Sequence, residues 1–345
     1  MATLTSDVSR EDQYGALRPA VAAWLYVVAL LVVAMVVVGG ATRLTESGLS
    51  ITEWQPILGV IPPLSEAAWL EAFAKYREIP EFRIENPDMD LDGFRFIYWW
   101  EWSHRLLGRA IGFVVLVPLI VFWVRGAIPR WLLPWLVGLI ALGGLQGVIG
   151  WWMVASGLTE RTDVSQYRLA VHLTLAFVIL VYTVWLARGL QRPERDSVPR
   201  AVRVGATVLL AVAVVQVFLG GLVAGLNAGL IYNTWPLMDG GLIPGGLTDL
   251  RPWWRNMFES VETVQFQHRM VAYLLTAIAI VHAIQARGTP AAGRAAVIGL
   301  AVLAQAALGI ATLLAVVPLE LALLHQVGAA VVVWLATAHL RDMWA

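Results

Sequence analysis

The sequence predicts an all-α integral membrane protein with eight transmembrane helices, arranged as two pseudo-twofold-related four-helix bundles. Three observations lead to this fold class. The 345 residues are 59% hydrophobic and only 14% charged, a balance that is not expected of a soluble domain of this size. The apolar residues are concentrated in eight runs. Motifs of the first half of the chain also return in the second half.

Each run holds about the 20 mostly apolar residues that a spanning helix needs. The first run follows a tail with several acidic residues and without a small-residue cleavage site, so we expect a retained helix rather than a signal or transit peptide. The eight runs are 21–40, 105–124, 131–153, 170–188, 203–224, 268–286, 293–316 and 321–340.

These runs divide the chain into four segments. A cytoplasmic N-terminal tail (1–20) precedes an N-terminal four-helix half (21–190), which includes a long outer loop at 41–103. An Arg-rich cytoplasmic linker (191–202) leads to a C-terminal four-helix half (203–345). With the N-terminus inside, the inner segments contain twelve arginines and only six acidic residues. By the positive-inside rule we predict a multi-pass protein of the bacterial inner membrane with both termini in the cytoplasm.

The internal repeat covers four helices in each half. Gly39-Gly40 aligns with Gly220-Gly221, and Trp54 aligns with Trp235. Because four is an even number of spans, both halves have the same orientation, which places the expected twofold axis along the membrane normal. Further matches are His104-Arg105 with His268-Arg269, Gln146 with Gln305, Gly150 with Gly309, and His172 with His325.

Two outer loops are long, and the first contains an amphipathic segment. Apolar residues from Leu64 to Tyr76 recur at helical spacing, which predicts a surface helix that covers part of the outer face. The helix would cap whatever lies beneath it.

Four histidines begin the second, fourth, sixth and eighth runs, which all enter the membrane from the outer side. They are His104, His172, His268 and His325, and they should lie at one depth near the outer face. A single such histidine is as readily a buried or interfacial residue as a ligand. Two at matched positions in each half favour a pair of imidazoles that clamps haem iron from both sides. A zinc or copper centre would require a third ligand, and none recurs in both halves.

Charged residues flank these histidines. Arg105 and Arg269 would either pair with haem propionates or extend to the membrane surface. Glu101 lies one helical turn before His104, whereas its counterpart before His268 is Gln265. A carboxylate in only one half indicates one working half and one supporting half. The alternative is a structural pairing of Glu101 with Arg105 at i, i+4.

His282 and His339 lie near the cytoplasmic ends of the sixth and eighth runs. They could hold a second, stacked haem, but the N-terminal half has no equivalent, and we expect ordinary interfacial side chains. The chain has no cysteine, which excludes disulfides, thiolate haem ligation and iron–sulfur clusters.

The motifs resemble those of the haem A synthase family. The matching stretches run from the first helix to the eighth, and the absence of cysteine resembles the group shared by proteobacteria and mitochondria. They include GGATRLTESGLSITEWQPILGVIPPL, NPDMDLDGFRFIYWWEWSHRLLGR, LAVHLTLA, GGLVAGLNAGLIYNTWPLM, QFQHRMVAY and LLHQVGAAVV.

The resemblance implies an oxidoreductase that converts haem O to haem A for terminal oxidases. It implies that one porphyrin methyl is oxidised to a formyl group by two successive hydroxylations. By matching motif, His104 and His172 would ligate the iron of the substrate haem, His268 and His325 the iron of a haem b, and Glu101 would be catalytic. The partners implied are the lipid bilayer, an electron donor that the sequence does not identify, and a haem O synthase as the source of haem O. No nucleic acid is expected, and assembly into a homo-oligomer stays open.

Two other classes of membrane protein would share part of this sequence pattern. A diheme b-type membrane cytochrome for quinol-linked electron transfer would need the four histidines but not Glu101. A transporter built from two repeats would need broken helices and polar residues at mid-membrane, which the sequence does not offer.

Overall fold

A computed structural model describes residues 2–191 and 194–344, and within these ranges the chain is helical and has no β-strand. Eight helices are long and apolar enough to cross a membrane, so the predicted eight-helix membrane fold is confirmed. They are α1 (Ala2–Leu44), α4 (Leu91–Val124), α5 (Leu133–Val154), α6 (Gln166–Gln191), α7 (Arg200–Gly225), α10 (Val261–Gln285), α11 (Ala292–Leu314) and α12 (Leu319–Arg341). The shorter helices are α2 (Glu66–Tyr76), α3 (Pro80–Ile84), α8 (Ala228–Ile231) and α9 (Asn256–Glu259).

The helices that carry the four histidines begin earlier than predicted. α4 begins at Leu91 instead of 105, where the Asp90 side chain accepts a hydrogen bond from Gly93 N at 2.8 Å. α10 begins at Val261, where Ser260 caps the helix by accepting from Thr263 N. Such caps satisfy backbone N–H groups that have no partner within the helix. The histidines therefore lie within their helices and not at the first turn.

Four helices form the centre of the molecule. α6 packs against both α1 and α7, and α12 packs against the same two helices. Leu25, Phe177, Leu209 and Ala330, one from each of these helices, are almost fully buried in the shared apolar core. α4 and α5 pack on the N-terminal side of this centre, and α10 and α11 pack on the C-terminal side.

The second glycine of each Gly-Gly pair lies where the two halves meet. A Cβ atom on Gly221 of α7 would lie 2.7 Å from the Cα of Ala170 on α6. A Cβ atom on Gly40 of α1 would collide with the amide of Gln326 on α12. Equivalent glycines thus allow equivalent helices to approach the opposite half. A twofold relation would require this match, and the twofold arrangement itself stays a prediction.

The predicted amphipathic helix of the first outer loop is α2. Ser65 caps it by accepting a hydrogen bond from Ala68 N, and Trp69 and Phe73 pack against the outer part of α4. The ring centroids of Phe73 and Phe94 are 5.1 Å apart. What α2 covers is therefore the outer end of α4, three turns above the first histidine.

On the opposite side, a charged cluster joins the two halves. The carboxylate of Asp342 accepts hydrogen bonds from the Arg188 guanidinium at 2.7 and 2.9 Å, and Arg294 contacts both Asp342 and Asp196. α6 ends and α7 begins inside the predicted linker 191–202. The side chains of Asp7, Arg10, Glu11, Asp12 and Arg192, which entered the charge argument for orientation, lie outside the described residues.

Candidate functional site

The four predicted histidines occur as two pairs, one in each half. His104 of α4 and His172 of α6 are close enough to interact electrostatically, and so are His268 of α10 and His325 of α12. Each pair joins two helices of the same half, as the sequence predicted. Their ligation of haem iron stays a prediction.

Every one of these histidine rings lies against a glycine of the preceding membrane helix. The distance from the histidine Cε1 atom to a Cβ built on that glycine would be only 2.7 to 3.3 Å. A larger residue would therefore displace the rings of His172 and His325 and crowd those of His104 and His268. The four pairs are Gly39 with His104, Gly150 with His172, Gly220 with His268, and Gly309 with His325.

A glutamine four residues before the glycine holds three of the four histidines. Its Nε2 atom donates to the backbone carbonyl of the histidine, at 3.1 Å for Gln146 with His172, 2.9 Å for Gln216 with His268 and 2.8 Å for Gln305 with His325. The same Nε2 also lies 3.1 to 3.3 Å from the ring nitrogens. Contacts with both the backbone and the ring restrict how that ring can rotate.

His104 is the exception. The residue four positions before Gly39 is Met35, whose terminal methyl lies beside Gly108 of α4. A thioether is at best a weak hydrogen-bond acceptor, and among the described residues no hydrogen bond to the His104 ring is found. One histidine of the N-terminal pair is therefore held less firmly than the other three.

Glu101 is buried beside this exceptional histidine and is fully hydrogen-bonded. Its Oε2 accepts from Ser50 Oγ at 2.7 Å and from Ile51 N at 2.6 Å. Its Oε1 accepts from Arg105 Nη2 at 2.6 Å and from Arg105 Nε at 3.1 Å. The i, i+4 pairing weighed from the sequence thus exists, and it is combined with two donors from the outer loop.

The C-terminal half uses the same frame with an amide. Gln265 Nε2 donates to the carbonyl of Tyr232 at 2.7 Å, and Arg269 Nη2 donates to that carbonyl at 3.1 Å. Tyr232 is the repeat counterpart of Ile51, whose carbonyl accepts from Arg105 at 2.7 Å. In both halves an arginine of the histidine helix thus donates to a loop carbonyl, Arg105 to Ile51 and Arg269 to Tyr232, and we call this contact the clasp. The two clasps differ in charge, because Glu101 stands beside one and Gln265 beside the other.

The two arginines differ in their remaining capacity to bind an anion. Arg105 is neutralised by Glu101. Arg269 is only 8% exposed, its Nε has no hydrogen-bond partner, and no carboxylate forms an ion pair with it among the described residues. A buried guanidinium without a counter-ion is costly. A propionate is the kind of group that would complete this site, so the residues of the C-terminal half fit a bis-histidine haem.

His282 and His339 lie near the ends of α10 and α12, as predicted, but they are buried and paired with each other, so the expectation of ordinary interfacial side chains is wrong in that respect. Both are 1% exposed, and their Nε2 atoms are 2.8 Å apart, a direct hydrogen bond between the two rings. Rings in direct contact leave no room for a haem between them. Within the described residues there is no group of three or more His, Asp or Glu side chains that could hold a metal ion.

Sequence reasoning missed the glutamines as supports of the histidines. The signal was present, since Gln-x-x-x-Gly occurs in the membrane helix that precedes each of the helices carrying His172, His268 and His325. It also missed Ser50, which lies 51 positions from Glu101 and reaches it only through the fold of the outer loop.

Comparison with known proteins identifies the family of this chain. A family model described as COX15-CtaA, cytochrome oxidase assembly protein, matches residues 22–337. The chain belongs to this family. The resemblance to the family seen in the motifs is thereby confirmed.

Members of the family with similar sequences carry the name Heme A synthase. The protein of Chelativorans sp. (strain BNC1) is 56% identical over 326 residues, which cover 92% of this chain and 89% of that protein. The protein of Azorhizobium caulinodans is 56% identical over 327 residues, which cover 94% of each chain. The protein of Brucella anthropi is 53% identical over 337 residues, which cover 96% of this chain and 94% of that protein.

Proposed function

We propose that this protein is a haem A synthase, which oxidises one methyl of haem O to a formyl group by two successive hydroxylations. The observation that carries the proposal is the difference between two otherwise matched histidine pairs. Only the N-terminal pair has a buried carboxylate one turn away, and only that pair has a histidine without a glutamine support.

The N-terminal half would bind the substrate. His104 and His172 would hold haem O by its iron, and the glycines beside them leave room for the two imidazole rings. A substrate has to enter and the product has to leave. The freer ring of His104 fits a site with an exchangeable occupant better than the three supported rings do.

Glu101 would act at the edge of the substrate that is oxidised. Ser50, Ile51 and Arg105 supply four donors that fix the direction of both carboxylate oxygens. A fixed carboxylate can accept a proton released from the methyl group or stabilise positive charge that develops there. Hydroxylation twice at the same carbon gives a gem-diol, which loses water to leave the formyl group.

The C-terminal half would hold haem b through His268 and His325, with Arg269 available for a propionate. When bound, that haem supplies electron transfer. Gln216 and Gln305 would keep its ligands in one orientation. We further propose that the protein lies in the bacterial inner membrane with both termini in the cytoplasm and receives haem O from a synthase partner.

Pigment analysis tests this proposal. The protein is purified from a host that makes haem O, and the extracted haems are separated by chromatography for wild type, Glu101→Gln and His268→Ala. Glu101→Gln gives the N-terminal half the amide that Gln265 supplies in the C-terminal half. It therefore removes the charge of Glu101 with little change in side-chain shape. We expect haem b together with haem O and haem A in wild type, and unchanged haem b with haem O but no haem A in Glu101→Gln.

The outcomes separate the alternatives. His268→Ala should lose haem b selectively and, with it, the formation of haem A. If wild type and Glu101→Gln both contain only haem b, and haem A never forms, the synthase assignment fails and a diheme b-type cytochrome becomes the better description. If Glu101→Gln still makes haem A at the wild-type rate, the role proposed for Glu101 fails.

A further inference from the structure

A groove near the cytoplasmic side separates α7 from α10 and is distinct from the four-histidine site. It encloses a cavity of about 400 Å³. Small residues leave the space, since Ala201 and Gly205 of α7 face Ala277 of α10. Val204 and Val281 on its rim are about half exposed, at 50% and 51%, in the apolar belt of the protein. The groove therefore opens toward the bilayer.

His282 supplies a polar group to the wall of this groove. Its side chain is 1% exposed, and its Nδ1 has no hydrogen-bond partner. Nδ1 points to Gly205, where a Cβ would lie only 2.7 Å away, and the Gln285 Oε1 is 3.2 Å from the same point. A buried ring nitrogen without a partner is unfavourable. A ligand oxygen in the groove would satisfy it.

The internal repeat shows that this groove is not a general feature of the fold. By the alignment of the two halves, Trp24 stands at the place of Gly205, Phe113 at the place of Ala277 and Pro118 at the place of His282. Trp24 is buried, its Nε1 donates to Val114 O at 2.7 Å, and its ring packs on Phe122. In the N-terminal half the buried ring of Trp24, packed on Phe122, thus fills the space that Gly205 leaves open in the C-terminal half.

The hydrogen bond between the Nε2 atoms of His282 and His339 determines what His282 can offer. When His282 Nε2 carries the shared proton, its Nδ1 is an acceptor. When His339 Nε2 carries it, His282 Nδ1 bears a proton and is a donor. The two neutral forms differ in the tautomer of both rings. Their exchange moves the shared proton along the 2.8 Å bond, and it also requires one proton to bind at His282 Nδ1 and one to leave His339 Nδ1. Nδ1 can accept from a ring hydroxyl or donate to a ring carbonyl.

We propose that this groove binds the ring of a lipid-soluble quinone or quinol. The ring oxygen would bond to His282 Nδ1 with Gln285 beside it, and the apolar tail would run along Val208 and Ala277 toward the membrane centre. A quinone has a carbonyl where the quinol has a hydroxyl, and the histidine pair matches both. This site goes beyond the proposed function, and its occupation does not depend on which haems the protein holds.

Photolabelling tests the proposal without an activity assay. Wild-type protein in phospholipid nanodiscs is exposed to an azido-benzoquinone with a decyl tail, and labelled peptides are mapped by mass spectrometry. We expect saturable labelling of α7 and α10 around the groove, displaced by unlabelled decylquinone. Ala277→Phe, which copies Phe113, should lower this labelling by about fivefold or more, which corresponds to a comparable loss of affinity.

A matched control is Val215→Phe, which adds the same ring to α7 at a position that is 50% exposed and does not line the groove. His282→Leu removes the hydrogen bond and should also lower labelling. If that variant does not fold, Ala277→Phe decides alone, because Ala277 is exposed and tolerates a larger side chain. Even labelling of all lipid-facing helices, displacement by excess phospholipid, or full labelling of Ala277→Phe would each overturn the proposal.

Discussion

Single residues distinguish two halves that share a backbone design. Arg105 and Arg269 donate to equivalent loop carbonyls, those of Ile51 and Tyr232. The residue one turn before the histidine is Glu101 in one half and Gln265 in the other. The Glu101 carboxylate adds a buried charge and accepts from Ser50, Ile51 N and Arg105, whereas the Gln265 amide donates to Tyr232 O; the arginine contact to the loop carbonyl is kept in both halves. The two halves can therefore differ in the chemistry beside their histidines although their helices are arranged alike.

Met35 should control how easily the substrate haem leaves. On the proposed function, Met35→Gln gives His104 the support that the other three histidines have, and we expect slower exchange of haem at the N-terminal pair. The measurement is the rate at which added haem O replaces bound haem A in purified protein. The reciprocal variant Gln216→Met should accelerate loss of haem b. Equal exchange rates in wild type and Met35→Gln would contradict this role.

Glu81 of α3 should make stability depend on pH. It is 5% exposed, and burial, reinforced by the charge of Glu101, raises its pKa from 4.5 to about 8. The folded protein therefore keeps a proton that the unfolded chain has lost between pH 4.5 and 8, and its stability falls as the pH rises through this range. Below pH 4.5 the Glu81 carboxyl is protonated in both the folded and the unfolded protein, so it does not lower the stability.

Glu81→Gln cannot ionise and should escape this loss. We expect its melting temperature to equal that of wild type at about pH 4 and to exceed it by several degrees at about pH 9, because each unit of pKa shift is worth about 1.4 kcal/mol. Glu78→Gln, at an exposed position, is the control and should change neither value. A constant difference between wild type and Glu81→Gln across the pH range would show that Glu81 is ionised in the folded protein.

The residues that the sequence could predict are those tied to helical spacing. Glu101, Arg105 and the four histidines are related by positions on one helix or by the repeat, so their grouping was accessible. The donors Ser50 and Ile51 were not, because a loop of some fifty residues brings them to Glu101. His282 and His339 were misjudged because hydropathy places them near helix ends but does not show that two ends meet.

At the scale of elements, hydropathy located the membrane part of each helix but not its outer extension. Residues 91–104 of α4 contain charged and aromatic side chains that do not resemble a membrane span. They are nevertheless helical, because Asp90 caps the segment and α2 packs against it. Tertiary packing therefore decided where this helix begins. The position of Glu101 one turn before His104 depends on that extension.

The cap of α2 should determine how firmly the outer loop is closed. Ser65→Ala removes the acceptor for Ala68 N and should destabilise α2 by about 1 kcal/mol. We expect cleavage within the first outer loop by an added protease to become about fivefold faster, while the helices in the membrane stay intact. Glu71→Ala is the control, since it removes only an exposed ion pair with Lys75. Similar cleavage rates for Ser65→Ala and wild type would mean that packing alone holds α2.

At the scale of the whole molecule, the duplicated sequence explains why two sites of similar design face the same side. The central helices α1, α6, α7 and α12 join the halves, and the histidine of each pair that lies on α6 or α12 belongs to this centre. The repeat could be predicted from the sequence because it needs only aligned motifs. Which helices form the centre could not, since the hydropathy of the central helices overlaps that of the outer ones and the choice depends on small residues at the contacts.

Gly221 should therefore be required for the two halves to fit together. Its Cβ would lie 2.7 Å from the Ala170 Cα, a backbone atom that cannot rotate away, so Gly221→Ala must shift α7 from α6. Overpacking of this kind costs about 1 to 3 kcal/mol, and we expect a lower melting temperature in detergent. Gly112→Ala on α4 is the matched control because no atom lies within 4 Å of its Cβ. Equal melting temperatures for the two variants would mean that the halves are not in contact at this glycine.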